Sequence, residues 1–140
     1  LVMKDMLKLR PAKLRDSKDI VALFSSIREK DPKDVKKLIK KKRIFVLRYK
    51  KKVVAAFSYK IFGWLGVFAI MYISRFAVSE HFQGEGIGSF LLNRARWMSL
   101  KNGIVAFFLF SLSRAKNFYK KNNLKGIRKL FWWRRGHEKW

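Results

Sequence analysis

Hydrophobic residues change their spacing along the chain, and the changes indicate an alternation of strands and helices. Short apolar or alternating runs are typical of strands, whereas apolar residues three and four positions apart are typical of helices. The runs that predict strands are 7–9, 44–49, 53–62, 67–79, 105–110 and 131–133. The runs that predict helices are 16–28, capped by Asp16 or Ser17, a second run opened by Asp31-Pro32, then 86–101 and 114–122.

The order of these elements predicts a mixed sheet. Tight turns at 50–52 and 63–66 join three middle strands, and helices separate the others. The order β-α-α-β-β-β-α-β-α-β therefore predicts an α/β fold with a mixed, mostly antiparallel central sheet flanked by helices. The almost wholly apolar run 105–110 predicts a central strand covered on both faces. With 140 residues, we expect a single domain over 1–140.

Composition excludes several classes of site. The chain has 34 Lys and Arg against nine Asp and Glu, so its net charge of +25 attracts anions. It has no Cys and two His, which excludes thiolate nucleophiles and predicts no metal centre. The longest apolar run, 61–73, is shorter than the roughly 20 residues of a bilayer span. The first ten residues carry four charges, unlike a secretory signal, and we expect a soluble, cytoplasmic protein.

The segment 83–89 carries the strongest chemical signal. Gly84, Gly86 and Gly88 alternate directly before a predicted helix. Such a loop turns backbone N–H groups toward one point, and the helix N-terminus adds partial positive charge, which suits a pyrophosphate. The spacing differs from the dinucleotide fingerprint G-x-G-x-x-G, and the G-K-[ST] of ATP and GTP loops is absent. The residues alone leave open a glycine-rich turn without a ligand.

The run Gln83-Gly84-Glu85-Gly86-Ile87-Gly88 resembles the phosphate loop Q/R-x-x-G-x-G/A of the GNAT superfamily of acetyl-CoA-dependent N-acetyltransferases. A second signature of that family, Ala-x-x-x-Tyr, is similar to Ala115 through Tyr119. The element order agrees from Leu7 to Trp133. The resemblance implies the acyl-CoA N-acyltransferase fold, acetyl-CoA as the acetyl donor and an amine as the acceptor.

The resemblance also implies a set of site residues. The pyrophosphate would lie on the backbone of the glycine loop, and the pantetheine arm would run along the fourth strand. The implied cofactor-binding residues are Phe76, Ala77, Val78, Gln83, Gly84, Glu85, Gly86, Ile87, Gly88, Ser89 and Asn117. Tyr119 would protonate the departing coenzyme A thiolate, because a phenol with a pKa near 10 holds its proton at neutral pH. Simple aromatic packing on the sheet is the alternative role of Tyr119.

The chain departs from many relatives at the general base. They hold a Glu on the fourth strand, at a position near Tyr72 here, but the run 67–79 has no acid. Glu80 or His81 could act through water, or a positive site could lower the pKa of the acceptor amine without a base. The acceptor stays open among a protein N-terminus, a Lys side chain and a small amine. The alternative is a catalytically weakened GNAT scaffold that acts as a basic module for nucleic acid or ribosomes.

The excess of Lys and Arg has three interpretations. It can be a solvated surface, an attraction for an acidic or nucleic-acid-associated acceptor, or a nucleic-acid surface. The third would use an aromatic and basic platform formed by Phe131, Trp132, Trp133, Arg134, Arg135 and Trp140. The aromatic content is also compatible with a homodimer through the hairpin at Trp64 and Leu65 or through the last strand.

Overall fold

The computed structural model describes residues 4–27, 32–64 and 67–136. The elements in chain order are β1 (Leu7–Pro11), α1 (Ser17–Ser25), α2 (Val35–Lys40), β2 (Ile44–Tyr49), β3 (Lys52–Trp64), β4 (Phe68–Val78), α3 (Ile87–Lys101), β5 (Ile104–Phe110), α4 (Lys116–Lys121), β6 (Lys125–Ile127) and β7 (Leu130–Arg134). The strands form one sheet in the order β1-β2-β3-β4-β5-β7-β6. Along the described ranges, no helix is long and apolar enough to cross a bilayer.

The predicted mixed sheet is confirmed. β4 and β5 pair in parallel, whereas β1·β2, β2·β3, β5·β7 and β6·β7 are antiparallel. Strand β6 was not predicted, because its three residues are all exposed and show no alternation of apolar and polar side chains. Helix α2 begins at Val35 rather than at the predicted Asp31-Pro32, and α1 ends at Ser25. The predicted helix positions Arg28 and Asp31 lie outside the described residues.

The chain divides into two compact units, which are described separately. The first unit comprises Leu1–Ser58 and Arg75–Leu91, and the second comprises Tyr59–Ser74 and Leu92–Trp140. A single functional domain over 1–140 stays a prediction.

The first unit buries the apolar sides of α1 and α2 against its strands. The apolar residues recur three and four positions apart, so each helix presents one apolar stripe. The buried cluster comprises Ala12, Ile20, Leu23, Phe24, Val35, Ile39, Ile44, Val46, Val53, Ala56 and Ala77. Ala77 lies on β4, so this core includes the end of the strand that leads into the glycine loop.

Asp16 is a buried carboxylate that ties together β1, β2 and the start of α1. Arg10 donates two hydrogen bonds to it, at 2.7 and 3.0 Å, and Arg48 donates one at 3.1 Å. The backbone N–H of Lys13 donates another at 2.8 Å. Burial alone would raise the pKa of Asp16, but the bonds from Arg10 and Lys13 and the charges of Arg10 and Arg48 hold it below the ordinary value.

The predicted capping role of the Asp16 side chain is wrong. Asp16 occupies the N-cap position of α1, but its side chain makes no capping hydrogen bond to that helix; the bond that it accepts from Lys13 closes the preceding 3-10 turn at Leu14–Asp16. The reason is that both carboxylate oxygens already accept bonds from the two arginines and from Lys13. A carboxylate before a helix can therefore serve the tertiary structure instead of the helix end.

In the second unit β5 and β7 are paired strands, and only one face of this pair is deeply buried. Phe107 and Trp133 stack with ring centroids 5.3 Å apart, and Leu109 and Phe131 are buried beside them. Phe108 is only half-buried, and Phe110 is 61% exposed. The prediction that β5 is covered on both faces is therefore wrong. An unbroken apolar run does not distinguish a doubly covered strand from one with an exposed aromatic face.

We predict that Asp16→Asn lowers the free energy of unfolding by about 2 kcal/mol, because it leaves two guanidinium groups without their counter-charge. The loss stays below that of a fully buried pair, because Arg10 and Arg48 keep about a fifth of their side-chain surface in water. Urea unfolding at neutral pH measures it. The control is Asp19→Asn, whose carboxylate is exposed, and an equal loss in both variants would contradict the prediction.

The same network predicts loss of stability in acid. The folded-state pKa of Asp16 lies below the ordinary value of 3.8, so its contribution to the free energy of unfolding is complete above that pH. This contribution to stability disappears as the pH falls through the folded-state pKa of Asp16. The difference in unfolding free energy between the native chain and Asp16→Asn should therefore shrink below about pH 4. A difference that stays constant down to about pH 2 would contradict this.

Candidate functional site

The glycine loop connects the end of β4 to the start of α3. After Val78 the chain forms a 3-10 turn at Glu80–Phe82, then turns through 83–86, and α3 begins at Ile87. Gly84 and Gly86 have φ values of +83° and +80°. Glycine adopts these left-handed conformations at little cost, whereas a side chain there is strained. The path of the backbone thus requires two of the three alternating glycines, Gly84 and Gly86.

The loop is open to solvent on the side where a side chain would project. A Cβ atom at Gly84 would meet nothing within 4 Å. A Cβ atom at Gly86 would lie 3.6 Å from both Cε and Nζ of Lys4, so an ammonium group borders the loop. The first N–H groups of an α-helix have no acceptor within the helix, and they carry its positive pole. An open backbone, a helix start and a lysine together fit a pyrophosphate.

Hydrogen bonds fix the loop to β3 and to the end of β4. The N–H of Ser79 donates to the carbonyl of Val54 at 2.8 Å, and the N–H of Phe82 donates to Ser79 at 2.9 Å. The side-chain amide of Gln83 donates to the carbonyl of Val78 at 3.3 Å. Gln83 therefore closes the turn on the strand end rather than projecting away from it.

The structure brings most of the predicted cofactor residues together in the first unit. Ala77 and Ile87 are buried and anchor the strand end and the helix start. The half-buried members are Phe76, Val78, Glu85, Gly88 and Ser89, and the exposed ones are Gln83, Gly84 and Gly86. Asn117 and Tyr119 lie on α4 in the second unit, where Asn117 is exposed.

Tyr119 is 6% exposed and packs among aromatic rings. Its ring centroid lies 5.0 Å from that of Phe118 and 5.5 Å from that of Phe131. Burial raises the pKa of its phenol above the ordinary value of 10, so the proton is retained at neutral pH. The surroundings fit both predicted roles, the proton donor and the aromatic packed on the sheet.

Arg96 on α3 fixes the end of the helix that carries Tyr119, and sequence reasoning missed it. Its guanidinium is buried, donates to Asn93 Oδ1 at 2.6 Å and donates to the carbonyl of Asn122. Asn122 in turn donates its side-chain amide to the carbonyl of Phe118 at 2.8 Å. Burial lowers the pKa of Arg96 to about 10. The sequence signal that could have identified Arg96 was its position beside the apolar stripe of α3, next to Ala95.

The position expected for a general base carries an aromatic ring. Tyr72 is half-buried, and its ring stacks on Phe108 with centroids 4.9 Å apart. Glu80 and His81, the other candidates, are exposed and belong to the first unit. Among the described residues no group of three or more His, Cys, Asp or Glu could hold a metal ion.

Comparison with known proteins gives a family and a set of similar folds. A family model described as an acetyltransferase (GNAT) domain matches residues 40–123, more than half of the chain. Among curated proteins, none matches the chain.

Three solved structures illustrate the similarity of fold. Ard1 from Thermoplasma volcanium has a TM-score of 0.77 at 16% identity, over 92% of this chain and 97% of that one. Naa50 from Arabidopsis thaliana, in complex with the bisubstrate analogue CoA-Ac-MVNAL, has a TM-score of 0.72 at 19% identity, over 91% of this chain and 96% of that one. N-acetylglutamate synthase from Neisseria gonorrhoeae, complexed with coenzyme A and L-arginine, has a TM-score of 0.77 at 16% identity, over 92% of this chain and 33% of that one. These identities are low, so the structures support the fold.

We predict that Tyr119 does not ionise when ordinary tyrosines do. Because burial raises its pKa, the phenolate absorbance that develops between about pH 9 and 11 should be the same in the native chain and in Tyr119→Phe. Spectrophotometric titration measures it, with circular dichroism to show that both proteins stay folded. A smaller amplitude in the variant would show that Tyr119 titrates in this range.

Proposed function

The chain belongs to the GNAT acetyltransferase family, and we propose that it transfers the acetyl group of acetyl-CoA directly to a primary amine, with the α-amine of a peptide as the favoured acceptor. The family match confirms the predicted family and enzyme class, an acetyl-CoA-dependent acyltransferase. Two observations support the choice of acceptor. The similarity to Ard1 and Naa50 extends over almost the whole of those chains, and the Naa50 complex contains a peptide joined to coenzyme A.

The glycine loop is the observation that carries the proposal. The backbone of Gly84 to Ser89 would hold the pyrophosphate, because the loop is open and the positive pole of α3 begins there. Lys4 would add a full positive charge beside Gly86. The strand end Phe76, Ala77 and Val78 would pair with the pantetheine arm, and Asn117 would add a polar contact. These assignments follow the family resemblance and await the tests below.

The reaction needs two proton movements, and the residues differ in how well they serve them. The amine nitrogen forms a bond to the thioester carbonyl carbon, the C–S bond breaks, and the sulfur leaves as a thiolate. The thiolate gains one proton and the nitrogen loses one, which gives an acetamide and coenzyme A. Tyr119 is the proposed donor to the sulfur, because its phenol is protonated. Its raised pKa makes it a weak acid, so we expect a contribution of about tenfold to a hundredfold.

The nitrogen must be deprotonated without a carboxylate on β4. The described part of the second unit has no Asp or Glu at all. Nearby cations disfavour the charged form of an amine and lower its pKa. We propose that this field, with water as the proton acceptor, takes the place of the Glu found in many relatives.

The alternative, a scaffold that has lost catalysis and serves as a basic module, gains no support from the family match. Homodimer formation stays a prediction. Trp64 on the proposed hairpin interface is exposed, and Leu65 lies outside the described residues.

We predict that Gly86→Asp abolishes acetyl-CoA binding in isothermal titration calorimetry, with an affinity loss of at least about a hundredfold. The new carboxylate would stand beside the pyrophosphate and would pair with Lys4. Gly136→Asp is the matched control, since Gly136 also has a positive φ, +88°, and nothing near its Cβ position, but lies beyond β7. Equal affinity of the native chain and Gly86→Asp would remove the loop from the site.

We predict that Tyr119→Phe lowers kcat by about tenfold to a hundredfold and leaves the Kd for acetyl-CoA within about twofold. The physical reason is that the ring still packs while the proton donor is lost. Release of coenzyme A in the presence of a peptide acceptor measures kcat. Tyr59→Phe is the control, because Tyr59 is also a buried tyrosine of the second unit. An unchanged kcat would leave Tyr119 with packing alone.

A further inference from the structure

The hairpin that joins β3 to β4 ends in large apolar side chains that face solvent. Trp64, the last residue of β3, is 76% exposed, and Val67, directly before β4, is 78% exposed. Phe62 and Phe68, one step further along each strand, are each more than half exposed. We call these four residues the hairpin tip. Apolar side chains exposed together in this way mark a surface for a partner rather than for water.

The backbone holds the two strands close together just before the tip. A Cβ atom at Gly63 would lie 2.5 Å from the carbonyl oxygen of Phe68, so only glycine fits this approach. The N–H of Val67 donates to the carbonyl of Trp64 at 3.3 Å. Trp64 and Val67 are therefore held side by side at one end of the strand pair.

Exposed cations lie beside the hairpin tip. The N–H of Ala69, next to the tip, donates to the carbonyl of Gly103 at 3.2 Å. This bond places the tip beside the turn after α3, where Lys101 is exposed. Arg135 is exposed at the same end of the unit. Its N–H donates to the carbonyl of Val105 at 2.7 Å, and its guanidinium donates to a carbonyl in the last turn of α3 at 3.2 Å.

The charge around the tip has one sign, and the tip itself is almost without polar groups. The described residues of the second unit contain no Asp or Glu. They contain thirteen cations: Lys60, Arg94, Arg96, Lys101, Arg114, Lys116, Lys120, Lys121, Lys125, Arg128, Lys129, Arg134 and Arg135. In the run 61–70 the indole of Trp64 is the only side chain with a hydrogen-bonding group. A partner must therefore offer an apolar phase and negative charge next to each other.

We propose that the hairpin tip docks on the surface of an anionic lipid bilayer, with Trp64 and Val67 below the lipid phosphates and Lys101 and Arg135 among the headgroups. The bilayer interface accepts aromatic side chains at the headgroup level, and anionic lipids attract Lys and Arg. A second copy would bring together two units without carboxylates, whose like charges repel. Nucleic acid or an acidic peptide would meet the cations but would leave the tip in water. The proposal does not depend on acetyl transfer.

The test is sedimentation with vesicles of phosphatidylcholine that contain about 30% phosphatidylglycerol, compared with phosphatidylcholine alone. We expect binding to the anionic vesicles and at least about tenfold weaker binding to the neutral ones. Trp64→Ala should weaken binding to the anionic vesicles by about tenfold or more. The matched control is Phe110→Ala, because Phe110 is also more than half exposed but lies at the other end of β5. It should change binding by less than about twofold.

A pair of lysine variants tests the cations. Lys101→Gln should weaken binding to the anionic vesicles by about fivefold, the effect of one lysine near a charged membrane surface. Lys40→Gln makes the same change in net charge at an exposed lysine of the first unit, and should have an effect below about twofold. Equal losses in the two variants would show that total charge governs binding and would overturn the proposal.

Brominated lipids measure whether the tip enters the bilayer, since they quench tryptophan fluorescence on contact. Trp64→Phe keeps an apolar ring, so it should still bind the anionic vesicles but should lose part of the quenching. Circular dichroism checks that each variant is folded. Equal quenching of the native chain and Trp64→Phe would overturn the proposal, as would equal vesicle binding by the native chain and Trp64→Ala. Self-association that Trp64→Ala abolishes, without vesicle binding, would assign the tip to a second copy instead.

Discussion

The charge balance of the second unit constrains how that unit can be built. Its described residues have thirteen cations and no carboxylate, so no ion pair is available among them. Arg96 shows the consequence most clearly, because its buried guanidinium is held by Asn93 and by the carbonyl of Asn122. These neutral acceptors take hydrogen bonds from the two terminal guanidinium nitrogens without cancelling the charge, and burial lowers the pKa of Arg96 to about 10. The negative pole at the end of α4 supplies a partial counter-charge.

In the first unit, carboxylates supply the counter-charge of arginine side chains. Asp16 lies between Arg10 and Arg48, and Asp34 pairs with Arg75 at 3.0 Å. These pairs hold the strands and helices that support β4, whose end leads into the glycine loop. Lys4 borders Gly86, so a pyrophosphate there would meet an ammonium group as well as the helix pole. Asp16 and Asp34 thus order the scaffold of this unit.

The sequence predicted those features that leave a local pattern. The bounds of β2 agree residue for residue, and the glycine loop is required by two positive φ values. Features that depend on distant partners were missed. The role of Asp16 depends on Arg48, 32 residues away, and the open face of β5 depends on what packs against it. Strand β6 is too short and too exposed to leave any periodicity. Which residues contact acetyl-CoA stays a prediction, because it rests on motif similarity.

The uniformly positive charge of the described second unit also suits the charge changes of the proposed acetyl transfer. Loss of a proton from an ammonium, formation of a tetrahedral oxyanion and departure of a thiolate each make the reacting group more negative. A positive field favours every one of these changes, and it acts most strongly where water is excluded. A Glu on β4 would accept the proton of the amine but would oppose the two anions that follow. In the proposed reaction, a positive field would therefore stabilise the departing thiolate electrostatically, and the demand on Tyr119 as the proposed proton donor would be smaller.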